Sequence, residues 1–296
     1  MVLLLSTLVG CNTQSYSQGQ QNSPPVASAP QLKVVTTFLP MYWFTKAVTG
    51  DKAQVEILIP PGTEVHDYQA TPANASAIAQ ADILVKNGIG FEEFLEGTVA
   101  NAKNNQLKEI NASTGIKPLD NTTPDEHIAR NPHVWLDPVL AKQQVANIRD
   151  GLIAANPENK GTYQTNATAY IQQLEALDKE FQQRLQKYPN CTFVTFHDAY
   201  PYLANRYQIK QVAVVELPED QLSPTDIQTA INAVKKYNVK ALFGEPGVDN
   251  KLLNALSKDL NLTLQPLDSL ESGSLDPQHY FVAMRANLQT LESACK

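Results

Sequence analysis

From residue 31 onward, short runs of β-branched and apolar residues alternate with stretches whose apolar positions recur every three or four residues. A period of two giving way repeatedly to a period near 3.6 predicts βα units built around a mainly parallel sheet. Strands are predicted at 33–38 (KVVTTF), 55–60 (VEILIP), 82–88 (DILVKNG) and 107–111 (LKEIN), and again at 191–196 (CTFVTF), 209–215 (IKQVAVV), 239–244 (VKALFG) and 262–267 (LTLQPL). Helical patterns lie between them. MYWFTKAVTG ends on Gly50, ASAIAQA is short, and SPTDIQTAINAVKKY has Ser223 as cap, Pro224 at N1 and Asp226 at N3. That last helix closes on Lys235 and Lys236, so its charges match the helix dipole at both ends.

The two groups of strands are separated by a different pattern. Asn156-Pro157-Glu158 reads as a cap, an N1 proline and a first-turn acid. Tyr163, Ala167, Tyr170, Leu174, Leu177, Phe181 and Leu185 then keep to one stripe until Pro189. A helix of about thirty residues measures about 45 Å. The fold expected is α/β, with two (β/α)4-type lobes joined by one long rigid helix. The chain has 296 residues, and single cores stop growing near ~250 residues, which also favours two lobes. The segments expected are 1–11, 12–30, 31–155 as the first lobe, 156–188 as the linking helix and 189–296 as the second lobe.

The first 30 residues follow neither period. MVLLLSTLVGC ends in a lipobox-like Leu8-Val9-Gly10-Cys11, so residues 1–11 are expected to be a lipoprotein signal segment with Cys11 lipidated. The apolar run carries no Lys or Arg before it, and a reading frame extending upstream of Met1 is expected to supply that charge. The run is too short for a membrane-spanning helix, which needs ~20 apolar residues. Residues 12–30, rich in Ser, Gln, Asn and Pro, cannot bury enough surface to fold and read as a tether. A chain exported in this way meets an oxidising compartment. Of its three cysteines, Cys191 and Cys295 are then expected to pair, the alternative being two buried thiols.

Charge narrows the partners. With 23 Lys+Arg against 30 Asp+Glu, the formal charge is −7, and no basic run follows aromatic residues along the chain. Nucleic acid is excluded as an expected partner. GIGFEEF lacks the glycines of a phosphate loop.

The chemistry gathers where open α/β sheets hold it, at the carboxyl ends of strands. His66 falls in the proline-flanked loop PPGTEVHDYQATP, His197 directly follows CTFVTF, and Asp268 follows LTLQPL. His133 sits in NPHVWLDP, between two prolines that leave no comfortable helix interior. Each has a plain structural reading as well: His66 or Asp67 capping a turn, His197 with Asp198 opening a helix, Asp268 making its own Asx turn. Together, three imidazoles and a carboxylate are the tetrahedral set that Zn²⁺ takes, and imidazole suits it better than Ca²⁺ or Mg²⁺.

PPGTEVHDYQATP, NPHVWLDP, FHDAYPYLANRY and LDSL, in that order, resemble the four ligand segments of the metal-specific class of ABC-transporter solute-binding proteins, on its zinc-receptor branch. The resemblance covers residues 31–296. It implies a metal site in the cleft between the lobes, with His66, His133, His197 and Asp268 as ligands. It also implies a lipid-anchored monomer on the periplasmic face of the bacterial envelope that delivers Zn²⁺ to an ABC permease. Manganese receptors of this class usually carry Glu at the position of His197, so the third imidazole favours Zn²⁺ over Mn²⁺, which stays as the alternative. Many zinc receptors carry a long His-rich loop that this chain lacks, holding only His127 there, and His127 and His279 read as structural. Glu245, Glu216 and Asp137 are candidates for orienting ligating imidazoles, and Trp135 for packing beside them. Two further functions stand beside capture. A zinc hydrolase is one, although HExxH is absent and Glu64 is the nearest argument for a base. Surface adhesion is the other.

Overall fold

The computed structural model describes residues 31–66, 68–120, 130–215, 223–239, 241–246 and 251–296. Cys11, the tether, Asp67, His127 and Glu216 lie outside the described residues. The first sheet contains β1 (Leu32–Thr36), β2 (Ala53–Ile57), β3 (Ile83–Lys86) and β4 (Lys108–Asn111) in the order β2-β1-β3-β4. The second contains β5 (Thr192–His197), β6 (Lys210–Val215), β7 (Ala241–Gly244) and β8 (Thr263–Pro266) in the order β6-β5-β7-β8. Every pairing in both sheets is parallel. The lobes therefore share one topology without sharing a repeat in sequence.

Parallel neighbours need crossover elements, and helices supply them. In the first lobe these are α1 (Leu39–Thr49), α2 (Pro72–Gln80) and α3 (Glu96–Asn101). Proline opens both α1 and α2; the backbone N–H of Gly50, at φ +53°, closes α1 onto the Lys46 carbonyl. Thr71 and Asn74 form a reciprocal capping box at the start of α2. Next come α4 (Pro138–Ala155) and α5 (Lys160–Leu185), and the second lobe adds α6 (Pro201–Tyr207), α7 (Pro224–Tyr237), α8 (Lys251–Asp259) and α9 (His279–Cys295).

Two features of the middle of the chain differ from the sequence reading. No helix was expected at 138–155, yet α4 is 18 residues long. Its signal is the pair Asp137-Pro138: the Asp137 carboxylate accepts the Val139 N–H at 2.8 Å and the Leu140 N–H at 3.4 Å, and Pro138 occupies the first turn where no N–H is needed. The linking helix also starts later than Asn156. Residues Pro157–Asn159 form a 3-10 turn and α5 runs for 26 residues, about 39 Å. Asn156 makes no side-chain cap there: its Oδ1 accepts from Asn159 Nδ2 at 2.6 Å and from the Tyr163 hydroxyl at 3.2 Å instead, while its backbone N–H ends α4 on the Leu152 carbonyl.

All seven residues of the predicted stripe on α5 are buried. They join one continuous core, with Val34, Phe44 and Ile83 from the first lobe and Phe193, Phe243 and Met284 from the second. Separate apolar clusters cover the other face of each sheet, Leu58, Ile78 and Leu84 in the first and Val194, Leu242 and Val234 in the second. Cys191 and Cys295 form a disulfide with Cα atoms 5.5 Å apart, tying the entry to β5 to the end of α9.

Candidate metal centre

Three imidazoles and one carboxylate meet at the carboxyl ends of the strands. One ligand-type atom from each of His66, His133, His197 and Glu271 lies within 4.8 Å of all the others. Ring centroids are 5.3 Å apart for His66 and His133, 5.1 Å for His66 and His197, and 4.7 Å for His133 and His197. Glu271 Oε1 is 3.3 Å from His66 Nε2 and 3.5 Å from His133 Nε2. A tetrahedron with Zn–N bonds of ~2.0–2.1 Å has donor-to-donor edges of about 3.3 Å, so the carboxylate already sits at tetrahedral spacing from two of the imidazoles.

Each side chain is held by its own local device. His66 follows β2 in a turn shaped by Glu64, whose carboxylate accepts the Val65 N–H at 2.9 Å and the His66 N–H at 3.3 Å. His133 is gripped by Asn131: Asn131 Oδ1 accepts the His133 backbone N–H at 3.1 Å and lies 3.0 Å from Nδ1, while its amide nitrogen donates to the Asp198 carbonyl at 2.6 Å. An acceptor opposite Nδ1 fixes the proton there and leaves the Nε2 lone pair for a metal. That is what the proline-bounded NPHVWLDP segment accomplishes.

His197 is the last residue of β5. One of the two strands beside β5 is β7, with Thr195 level with Phe243, so two residues further on Glu245 stands level with His197. The Glu245 carboxylate lies 2.5 Å from His197 Nδ1. The register of the sheet thus delivers the base that orients this imidazole, leaving Nε2 buried and aimed into the site.

Asp268 stands outside the group. Its carboxylate accepts the Leu270 N–H at 2.8 Å in an Asx turn, and Asn287 brackets its backbone N–H and carbonyl. The oxygen donor in the group is Glu271, three residues on, which the sequence reading passed over. The loop from Asp268 turns sharply through Leu270 at φ +68°, and it is this reversal that carries the second carboxylate inward. The sequence signal was present in LDSLES, where an Asx-turn former precedes a second acid. His279 lies apart, its ring 5.6 Å from that of Trp43.

The electrostatics suit a divalent ion. Burial drives the His133 pKa down to about 3, so this imidazole is neutral at ordinary pH, as ligation requires. Burial opposes ionisation of Glu271 too, yet the neighbouring His66 imidazole foremost outweighs it and holds the carboxyl well below its usual range. For His197, burial disfavours the charged ring, but the adjacent Glu245 carboxylate prevails and raises its pKa. Burial, with Glu271 nearby, raises the Glu64 carboxyl. One side of the site is walled by aromatic rings, Phe91 at 5.7 Å from His66 and Trp135 at 5.0 Å from His133.

A two-lobed, all-parallel α/β protein with this donor set at its strand ends is of the metal-specific solute-binding class. The chain belongs to the family described as zinc-uptake complex component A, periplasmic, whose model matches residues 34–294. It is 32% identical to the high-affinity zinc uptake system protein ZnuA of Bacillus subtilis over 97% of this chain and 93% of that one. It is 34% identical to the zinc-binding lipoprotein AdcA of Streptococcus pneumoniae over 96% of this chain, but spans only 58% of AdcA. The Zn(II)-bound AdcA crystal structure superposes with a TM-score of 0.78 at 35% identity, covering 90% of this chain and 58% of that one. The laminin-binding protein of Streptococcus agalactiae, described as bifunctional with adhesin and metal-transporting activity, superposes at 0.81 with 31% identity, covering 90% of this chain and all of that one.

Proposed function

We propose that this chain captures Zn²⁺ in the cell envelope through His66, His133, His197 and Glu271, and delivers it to an ABC permease in the membrane. The observation that carries the reading is the convergence of three imidazole nitrogens and one carboxylate oxygen within 4.8 Å. Three nitrogens with one oxygen match a borderline-soft ion, whereas Mn²⁺ is better served by a shell richer in oxygen. Four protein donors also describe a closed coordination sphere. A zinc hydrolase needs an open position for water, and His133 and His197 are each no more than 2% exposed. Carriage, not catalysis, is therefore the reading favoured. Anchoring through Cys11 belongs to the same reading and rests on the lipobox-like start and on the naming of AdcA as a lipoprotein. The protein is taken to act as a monomer.

The test is metal analysis of protein purified without added metal, followed by calorimetric titration with Zn²⁺ and with Mn²⁺. The expected result is one Zn²⁺ per chain, bound in preference to Mn²⁺. A stoichiometry near zero, or tighter Mn²⁺ binding, overturns the reading.

A further inference from the structure

Ser269 sits between the two carboxylates of the second lobe and touches neither metal-facing atom. Its side chain is buried, and its hydroxyl reaches Glu245 Oε2 on one side and Glu271 Oε2, at 2.9 Å, on the other. Its main-chain carbonyl accepts the Trp135 Nε1–H at 2.8 Å, which fixes the residue from the first lobe. An unbroken path results, from His197 Nδ1 to Glu245, to the Ser269 hydroxyl, to Glu271. The two oxygens of Glu271 are thereby divided: Oε1 faces His66 and His133, and Oε2 is turned to serine.

We propose that Ser269 is a specificity-determining positioning residue, which holds Glu271 to a single donor oxygen and so restricts the site to four ligands. This inference rests on the zinc-receptor reading and deepens it. Four donors satisfy Zn²⁺, which is commonly tetrahedral. Ions that take six or more oxygen ligands, Mn²⁺ among them, gain most from a carboxylate that binds through both oxygens. The single hydroxyl proton, shared in a three-centre bond between Glu271 Oε2 and Glu245 Oε2, denies them that fifth donor and steadies Glu245 behind His197. One small side chain acts on two ligands at once, so its removal changes geometry more than charge.

The experiment uses the full chain, with Co²⁺ as a spectroscopic probe and Zn²⁺ and Mn²⁺ in calorimetric competition. Wild-type protein is expected to bind Co²⁺ with the intense visible bands of a tetrahedral ion. Ser269→Ala should bind Co²⁺ with the weaker bands of a higher coordination number, and its Zn²⁺-over-Mn²⁺ preference should fall about 10-fold, the lower end for loss of an outer partner. Ser269→Thr, which restores the hydroxyl, should rescue both the bands and the preference. Tetrahedral bands and an unchanged preference in Ser269→Ala overturn the proposal. If the alanine variant lacks a native circular-dichroism spectrum, Ser269→Gly takes its place, since neither change touches the carbonyl that Trp135 holds. Failure of both to fold also overturns it, by making the hydroxyl a requirement of the fold. A wild-type protein that binds neither Zn²⁺ nor Co²⁺ defeats the receptor reading itself, a result distinct from a tight wild-type site that is indifferent to Ser269.

Discussion

The two lobes run their strands in the same order yet hold their proposed ligands by different means. In the first lobe both histidines sit on loops braced by short-range contacts, Glu64 folded onto His66 and Asn131 onto His133. The second of these loops is also tied across to the other lobe, where Asn131 donates to the Asp198 carbonyl and its own carbonyl accepts the Tyr202 hydroxyl. In the second lobe His197 needs no loop. It ends a strand, and the strand beside it brings Glu245 to the same level. The Glu271 loop, like that of His133, is held from outside its own lobe. Trp135 Nε1 donates to the Ser269 carbonyl at 2.8 Å, Trp43 Nε1 to the Ser274 carbonyl at 2.7 Å, and the Tyr170 hydroxyl to the Pro277 carbonyl at 3.0 Å. Those donors belong to the first lobe and to α5. A ligand at a strand end is fixed by register, whereas a ligand on a long loop must be fixed by whatever that loop is stitched to.

The sharpest way to break this comparison is to remove one ligand from each kind of support. His133→Ala, His197→Ala and Glu271→Ala should each weaken Zn²⁺ by more than about 100-fold, beyond the usual cost of losing an outer partner. Asp268→Asn should leave binding nearly unchanged, because the amide oxygen can still accept the Leu270 N–H. Calorimetry decides it, and an Asp268→Asn loss equal to that of Glu271→Ala would return the fourth ligand to Asp268. Next in size is the disulfide, which staples only the second lobe. It closes a sequence separation of 104, for which loop entropy gives at most about 4 to 5 kcal/mol. Reduction of the folded protein should lower the melting temperature by about 10 °C, read by circular dichroism with and without reductant.

The first lobe has a buried brace of another sort. Glu92 accepts the Asn87 N–H, the Gly88 N–H and the Thr37 hydroxyl at the ends of β3 and β1, and burial raises its pKa from 4.5 to about 7. A carboxyl whose folded pKa is raised binds its proton more tightly in the native state. Its contribution is therefore complete below about pH 4.5 and lost as pH climbs towards about 7. The loss is on the order of 3 kcal/mol. In metal-free protein, the stability of wild type relative to Glu92→Gln should fall across that window, followed by urea denaturation at stepped pH; a constant difference would sink the idea. The smallest effect concerns the stitching of the Glu271 loop. Trp43→Phe keeps one aromatic ring but removes the N–H to Ser274 and part of a fully buried indole, of which the hydrogen bond accounts for about 1 kcal/mol. Zinc affinity should drop about fivefold if loop order and ligation are coupled, and an unaltered affinity would show that Trp135 and Tyr170 suffice.

Most of the strands were legible because they are compact apolar runs with turn residues at their ends, whereas LKEIN, with one buried residue in β4, gave a weaker signal. All eight predicted strands overlap observed ones, and His66, His133 and His197 lie where proline loops and strand ends put them. What escaped were features that depend on partners distant in sequence. Pro138 reads as a stop until Asp137 is seen to cap the turn it opens. Glu271 lies just past the LDSL segment, and nothing local says that Leu270 will reverse the chain and that Trp135, 134 residues earlier, will hold the turn in place. Glu245 was visible as an acid after a strand, but its level with His197 is a property of the sheet.

The chain contains two tryptophans, both fully buried, and both donate their indole N–H to the loop that carries Glu271. One of them also has its ring 5.0 Å from that of His133. The protein therefore comes with an intrinsic optical gauge. Any shift of that loop on loading or discharging its ion alters the polarity and hydrogen bonding of the indoles, so ultraviolet emission alone should time the exchange of cargo without a dye or a tag.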